Sequence, residues 1–243
     1  MRFRQFFIVI IVLCNFASAS RADSLPNDFV YLRDVNADIR QEIRYAGPNN
    51  FMRRRLAGYR AAECVLTQKA AVALGKVQKE AVRAGYSLVV FDCYRPQRAV
   101  DAMVAWVQSG SGTDPDYYPR VSRSRLIQQG YIGAKSSHAR GSTVDLALEK
   151  TKGSETEDLS SVACERQDWG TSNFGTAFDC FDPASQTNSK AVSPSARKLR
   201  QTLVELMQSG GFKNYSGEWW HFTLKNEPFP GKSFDFTIEP RSR

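Results

Sequence analysis

The sequence predicts a single domain of the α+β class. Three stretches with helical signals are mixed with three short β-rich runs, and they follow no regular βαβ alternation. A chain of 243 residues, 42% of them hydrophobic, can bury one sizeable core. No internal repeat or long low-complexity linker divides it.

The elements follow in chain order. Thr67 can cap a helix over residues 67–84, in which Ala70, Leu74, Val77 and Ala81 line one face and Gly85 ends the run. Ser87–Phe91 is rich in β-formers and reads as a buried strand. Pro96 suits the first turn of a second helix that runs to about Gln108. Residues 109–136, rich in Gly, Ser, Pro and Tyr, read as loop. Over Ser142–Leu148 the pattern alternates, with Val144, Leu146 and Leu148 on one face and Thr143, Asp145 and Ala147 on the other. Residues 150–190 are polar and turn-rich. Ser193-Pro194 starts a third helix that ends near Gly210, and Trp220–Leu224 is a last core strand.

The N-terminus reads as a secretory signal peptide over residues 1–19, with the domain proper over 20–243. Arg2 and Arg4 form a positive region, Phe6–Phe16 is apolar but too short for a bilayer span, and Ala17-Ser18-Ala19 offers a cleavage site. Cutting after Ala22 is the alternative. Cys14 follows Leu13, where a lipoprotein signal wants a small residue, so no lipid anchor is expected. No later segment is apolar enough to span a membrane. The net charge of +8 falls to +6 when the two arginines are removed. The arginines are scattered, and no aromatics interleave with the densest cluster, Arg53-Arg54-Arg55. The basic balance therefore reads as a solvated surface, with no nucleic-acid partner.

Four cysteines survive processing: Cys64, Cys93, Cys164 and Cys180. An even number in an exported chain suggests disulfides, and four cysteines allow three pairings. The Gly-rich segment between Cys164 and Cys180 favours that bridge, which would leave Cys64 with Cys93. Free buried thiols are the alternative. A four-cysteine zinc site is disfavoured because no C-x2-C pair is present.

The chain has two histidines, and each sits in a compact motif with a carboxylate. The first motif is Ser136-Ser-His138-Ala-Arg-Gly141-Ser-Thr-Val-Asp145. His138 and Asp145 are seven positions apart, so one continuous strand would point them to opposite sides; Gly141 permits a turn that brings them together. Asp145 lies between Val144 and Leu146, and a carboxylate in such surroundings needs either a metal ion or an arginine. The second motif is Gly217-Glu218-Trp219-Trp220-His221, where Gly217 permits a bend that sets Glu218 beside His221. Each motif alone also fits a hydrogen-bonded core histidine. Together they supply two imidazoles, one carboxylate and a glutamate base, with a fourth tetrahedral position left for water. That is the pattern of a catalytic Zn2+ site. Arg95 follows a strand and precedes a helix, a place from which a guanidinium could stabilise a developing oxyanion; a salt bridge or a helix-packing role is the alternative.

The motifs S-x-H-x-R-G-x-x-x-D-L, E-W-W-H-F and Y-R-P, in this order and spacing, resemble those of the D-alanyl-D-alanine dipeptidases of the vancomycin-resistance type. The resemblance runs from about Phe29 to Ile238 and includes Asn50-Phe51, Gly130-Tyr131-Ile132 and Glu227–Pro230. It implies a small, mainly antiparallel sheet packed with helices, the zinc D,D-peptidase or hedgehog-like fold. It implies zinc on His138, Asp145 and His221, Glu218 as general base and acid, Arg95 on the tetrahedral intermediate and Ser136 near the substrate carboxylate. The implied substrate is the D-Ala-D-Ala dipeptide, in a periplasmic enzyme of cell-wall precursor degradation or recycling.

The chain departs from the family pattern at Asn173, where the resemblance leads one to expect a carboxylate near the substrate ammonium; Asp168 is a carboxylate that could reach in instead. Gln186 stands where relatives often carry a histidine and reads as surface drift. Asn173 keeps open a second reading, a carboxypeptidase or endopeptidase acting on longer peptidoglycan peptides. A wall-binding module without catalysis is the third, and the complete ligand set with Glu218 argues against it.

Overall fold

The computed structural model describes residues 25–152, 161–168 and 170–241. The expected signal peptide over 1–19 lies outside the described residues. The domain is α+β, as expected. Its centre is a five-stranded sheet of order β2-β4-β5-β7-β6, in which β2 (Arg40–Gln41) runs parallel to β4 (Tyr86–Asp92). The other pairings are antiparallel and involve β5 (Thr143–Lys150), β6 (Phe212–Asn214) and β7 (His221–Leu224). A separate ribbon pairs β1 (Phe29–Tyr31) with β3 (Val65–Thr67).

Of the four helices among the described residues, α1 (Leu32–Val35) is a single turn, and the other three are those the sequence signals. The first of these, α2 (Gln68–Arg83), is capped by the Thr67 hydroxyl, which accepts from Ala70 N at 3.3 Å. The chain leaves it through Gly85 at φ +84°. Next comes α3 (Gln97–Gln108), which begins directly after Pro96. Ser193 accepts from Ala196 N at 3.1 Å to cap α4 (Pro194–Ser209). Helices α2 and α4 pack against each other, α2 on β4 and α4 on β6. No described helix is long and apolar enough to cross a membrane.

Two features differ from the sequence pattern, and both concern polar residues taken inside. Strand β5 is buried from Thr143 to Leu148 on both faces, because it sits at the centre of the sheet rather than on a half-solvated one. The stretch after it is turn-rich as expected, yet residues 171–185 are largely buried. Arg200, fully buried on α4, holds this stretch. It donates to the carbonyls of Phe174 (2.9 Å), Ala184 (2.8 Å) and Gln186 (2.7 Å) and to Thr176 Oγ1 (3.3 Å). Irregular backbone can be buried here because its carbonyls find these donors. The two disulfides are Cys64–Cys93 and Cys164–Cys180, the pairing the sequence favours.

The turn that feeds β5 depends on Gly141. Its φ is +79°, and a Cβ there would lie 2.2 Å from Phe29 Cε1. Left-handed backbone costs an L-residue roughly 1–2 kcal/mol, and overpacking a core adds about 1–3 kcal/mol. Gly141→Ala is therefore expected to lower the urea unfolding free energy by about 2 kcal/mol or more, with a lower midpoint and an unchanged slope.

Candidate metal centre and active site

Three neighbouring segments build the site. A 3-10 turn, Ser137–Arg140, carries His138 and is capped by Ser136 Oγ, which accepts from His138 N at 3.3 Å. Gly141 then reverses the chain into β5, so that Asp145 faces the turn it has just left. Asp145 is directly opposite His221 across the β5–β7 pairing and opposite Asp92 across β4–β5. Opposed residues on adjacent strands share a face, so register alone sets His221 and Asp92 on either side of Asp145.

The inner atoms converge. His138 Nε2 lies 3.3 Å from His221 Nδ1 and 3.1 Å from Asp145 Oδ2, and His221 Nδ1 lies 3.0 Å from Asp145 Oδ1. The outer nitrogens are occupied. His138 Nδ1 donates to the Cys93 carbonyl at 2.6 Å, and His221 Nε2 meets Ser137 Oγ at 3.1 Å. A carbonyl accepts and never donates, so the proton of His138 sits on Nδ1 and a lone pair faces inward. One bridging proton can satisfy one of the three inner contacts, whereas a cation satisfies all three. Bonds of about 2.0–2.1 Å in tetrahedral geometry place donors roughly 3.3 Å apart, and the spacing of this set matches. His138, Asp145 and His221 can therefore hold a metal ion.

Glu218 lies on the turn between β6 and β7, held by its N–H on the Tyr215 carbonyl at 3.0 Å. Its Oε2 is 3.8 Å from His221 Nδ1, close enough to serve the site without joining the inner cluster. Burial pushes its carboxyl up to about 8; His221 opposes this, while Asp145 and Asp179 add to it. Arg95 enters from the other side. Its Nε donates to Asp92 Oδ2 at 2.9 Å, its Nη2 reaches Asp145 Oδ2 at 3.5 Å, and its guanidinium stacks 4.8 Å from the Tyr45 ring centre. The sequence left Asp145 a choice between metal and arginine as partner, and the fold brings the arginine together with a ligand set that can hold the metal.

These groups open into one cavity of about 290 Å³, lined also by Phe51, Met103, Tyr131 and Ser136. Asn173 does not join them. It lines a separate small cleft, and its Oδ1 accepts from Gly175 N at 2.6 Å, a local turn contact. Asp168 is also elsewhere, paired with Arg44 at 3.1 Å and Arg166 at 2.9 Å. The structure thus sets both Asn173 and Asp168 apart from this cavity. The acid of that stretch which reaches the cavity is Asp179, six positions further on. The turn at Gly175, φ +80°, separates the two.

Asp179 is buried, stands in left-handed backbone at φ +60°, and accepts from Tyr45 Oη at 3.0 Å. Burial pushes its carboxyl well above the usual range and Asp145 adds repulsion, with Arg95 opposing. Sequence reasoning also missed Asp92, which accepts from Tyr59 Oη at 2.7 Å and lies 3.5 Å from His138 Nδ1. The signal was present: an acid ending an apolar strand, Leu88–Asp92, has to find partners inside.

An α+β domain with an open His–Asp–His cluster beside a glutamate has the form of a metal-dependent peptidase. The comparisons with known proteins give the same class and refine it. The chain belongs to the family described as D-ala-D-ala dipeptidase, whose model matches residues 26–239. It is 35% identical over 216 residues to the D-alanyl-D-alanine dipeptidase of Streptomyces coelicolor, covering 88% of this chain and 100% of that one. It is 33% identical to the protein of that name from Enterococcus faecalis, with 88% and 100% covered, and 31% identical to that from Escherichia coli, with 88% and 94% covered.

The raised carboxyl of Asp179 has a consequence for stability. Ionising it in the fold costs more than ionising it in the unfolded chain. The penalty is absent below the unfolded value of about 4 and grows as pH rises above that. Asn carries no charge and tolerates φ +60°. Asp179→Asn in metal-free protein should thus melt higher than the wild type at pH 7, with the gain vanishing near pH 4. Equal melting temperatures at both pH values would show that the carboxyl ionises without penalty.

Proposed function

We propose that this chain is a zinc-dependent dipeptidase that hydrolyses D-Ala-D-Ala. The observation that carries the reading is one cavity that joins three inward-facing metal ligands and Glu218 to a buried, cation-seeking Asp179. The names of its relatives supply the substrate, and the ligand chemistry of two imidazoles, one carboxylate and an open position supports zinc.

His138, Asp145 and His221 would hold the ion, which supplies Lewis-acid activation of water and of the scissile carbonyl at neutral pH. Glu218 takes a proton from the attacking water as its oxygen bonds to the carbonyl carbon. It returns that proton to the leaving nitrogen as the C–N bond breaks, releasing two D-alanines. Burial holds this carboxyl high in the metal-free fold, and a cation beside it would bring it down to a carboxylate able to accept the proton and give it back. Arg95 stabilises the negative charge that builds on the carbonyl oxygen. Asp179, backed by Tyr45, would receive the substrate ammonium, and Ser136, which lines the same cavity, would meet the carboxylate. A free amine is then part of recognition. The carboxypeptidase reading rested on the neutral Asn173, and Asn173 is outside the cavity. Arg2, Arg4, the apolar run that follows, the Ala17-Ser18-Ala19 site and two disulfides support export to the periplasm, where the enzyme would act on cell-wall precursor dipeptide or recycled wall fragments.

The test is release of D-alanine from D-Ala-D-Ala by zinc-loaded protein, beside the N-acetylated dipeptide. We expect turnover of the free dipeptide and none of the blocked one. Glu218→Ala should lower kcat by about 10²–10⁴ while retaining the metal. Asp179→Asn should raise KM by roughly 10- to 100-fold, the worth of a hydrogen bond to a charged group, whereas Asn173→Asp should leave KM within about twofold. Turnover of the blocked dipeptide alone would sink the dipeptidase reading in favour of action on longer peptides.

A further inference from the structure

Both disulfides sit one residue after a buried carboxylate of the cavity region: Asp92-Cys93 and Asp179-Cys180. The first lies where β4 ends and the chain leaves the sheet. Past that point Cys93 turns its carbonyl to His138 Nδ1 at 2.6 Å, and Arg95 N donates to the His138 carbonyl at 3.3 Å. Three groups of the metal half, the Asp92 carboxylate, the Cys93 carbonyl and the Arg95 guanidinium, therefore ride on one four-residue segment. That segment is tied to β3 by the Tyr94 N–H on the Val65 carbonyl at 2.9 Å and, covalently, by Cys93 to Cys64. The same β3 holds the far side of the His138 turn, with Thr67 N on the Gly141 carbonyl at 2.7 Å. Cys64 thus anchors the segment to the element that also fixes the histidine.

The second disulfide lies beside the left-handed Asp179. Phe178, just before it, is held at both ends by the segment that carries Cys164. Its N–H donates to Asp168 Oδ2 at 2.5 Å and its carbonyl accepts from Arg166 Nη1 at 3.1 Å. Cys180, just after it, is bound to Cys164 itself. A φ of +60° is unfavourable for Asp, so the conformation persists because both flanks are held.

We propose that the disulfides are positioning elements of the active site: Cys64–Cys93 sets the metal half through His138, Cys164–Cys180 sets the amine half through Asp179, and catalysis requires the oxidised chain. This rests on the metal and amine roles proposed above. A covalent tie that merely stabilised the fold would lower melting temperature and leave both functions as they were. The two bridges are instead expected to act on different constants.

The test uses two double variants of the full chain, Cys64→Ala with Cys93→Ala and Cys164→Ala with Cys180→Ala, assayed well below their melting temperatures. Zinc affinity is measured by chelator competition, and kcat and KM with D-Ala-D-Ala. The first variant should bind zinc roughly 10- to 100-fold more weakly, the usual effect of losing an orienting contact outside the ligand shell, with kcat reduced at saturating zinc and KM little changed. The second should keep its zinc affinity within about twofold and raise KM roughly tenfold or more, as a charged contact is loosened. Wild-type zinc affinity, kcat and KM in both folded variants would overturn the proposal. So would equal losses in all three constants, which report general loosening. Should the first variant not fold, reductant is titrated into oxidised, zinc-loaded protein while zinc release and circular dichroism are followed together. Zinc release ahead of the loss of structure supports the proposal, and release only with unfolding overturns it. A wild type that binds no zinc or cleaves no dipeptide marks failure of the underlying reading, because that result appears before any cysteine is changed.

Discussion

The site depends on a carboxylate that the fold forces inside. Asp145 stands on the central strand of the sheet, with neighbours on both sides, and a bare charge there would be costly. Three of the groups around it act as compensation. His221 faces it across one pairing, His138 folds back over it from the turn that precedes its own strand, and Arg95 leans on it from the end of β4. Burial alone would raise its carboxyl; protonated imidazoles facing it outweigh burial and hold it well below the usual carboxylate range, and where they are neutral a bound cation would do the same. The same convergence that tames the charge leaves two nitrogen lone pairs and an oxygen pointing at one spot. Solving the burial problem and building a metal site are one arrangement, which is why the site lies at the middle of the sheet and not on a loop tip.

Much of this was legible in the sequence. His138, Asp145, Glu218 and His221 stood out because the chain has so few histidines and each had an acid in its motif. Of the three long helices, the first was legible from its cap and one-sided apolar spacing and the other two from Pro96 and Ser193-Pro194, and the caps at Thr67 and Ser193 are present. Four short strands were not: β1, β2, β3 and β6 have two or three residues each, too few for a period to register. They form because long-range pairing rewards them, as β3 does by binding both Tyr94 and Gly141. Periodicity carries no such information.

The placement of Asn173 away from the cavity has a physical cause. Residues 171–185 read as polar and turn-rich, and such a stretch is ordinarily solvated. Here Arg200 supplies donors to its carbonyls, and Phe174 stacks on Trp219 at 4.0 Å, so the loop becomes part of the interior. Inside a packed loop, which acid faces a cavity is decided by backbone turns. Gly175 at φ +80° and Asp179 at φ +60° make those turns, and neither angle can be read from residue type. Arg200 holds the loop without a carboxylate, and burial pulls its pKa down to about 9. A guanidinium on carbonyls can serve where a carboxylate partner would add one more negative charge to an acid-rich region.

Acid density is the remaining constraint. Asp92, Asp145, Asp179 and Glu218 are close enough to disturb one another's ionisation, and Arg95 is the cation common to their surroundings. Such a cluster is short of positive charge as it stands. A divalent cation on the His–Asp–His face and an ammonium group at Asp179 would each relieve part of the repulsion, so the two ligands would favour each other's binding through the shared field. On the proposed reading, the excess of carboxylates would favour a metal ion and a free-amine substrate together. An N-blocked peptide brings no ammonium and keeps its carboxylate, so it would relieve none of the repulsion at Asp179; on the proposed reading that difference would favour a dipeptide over the end of a longer chain.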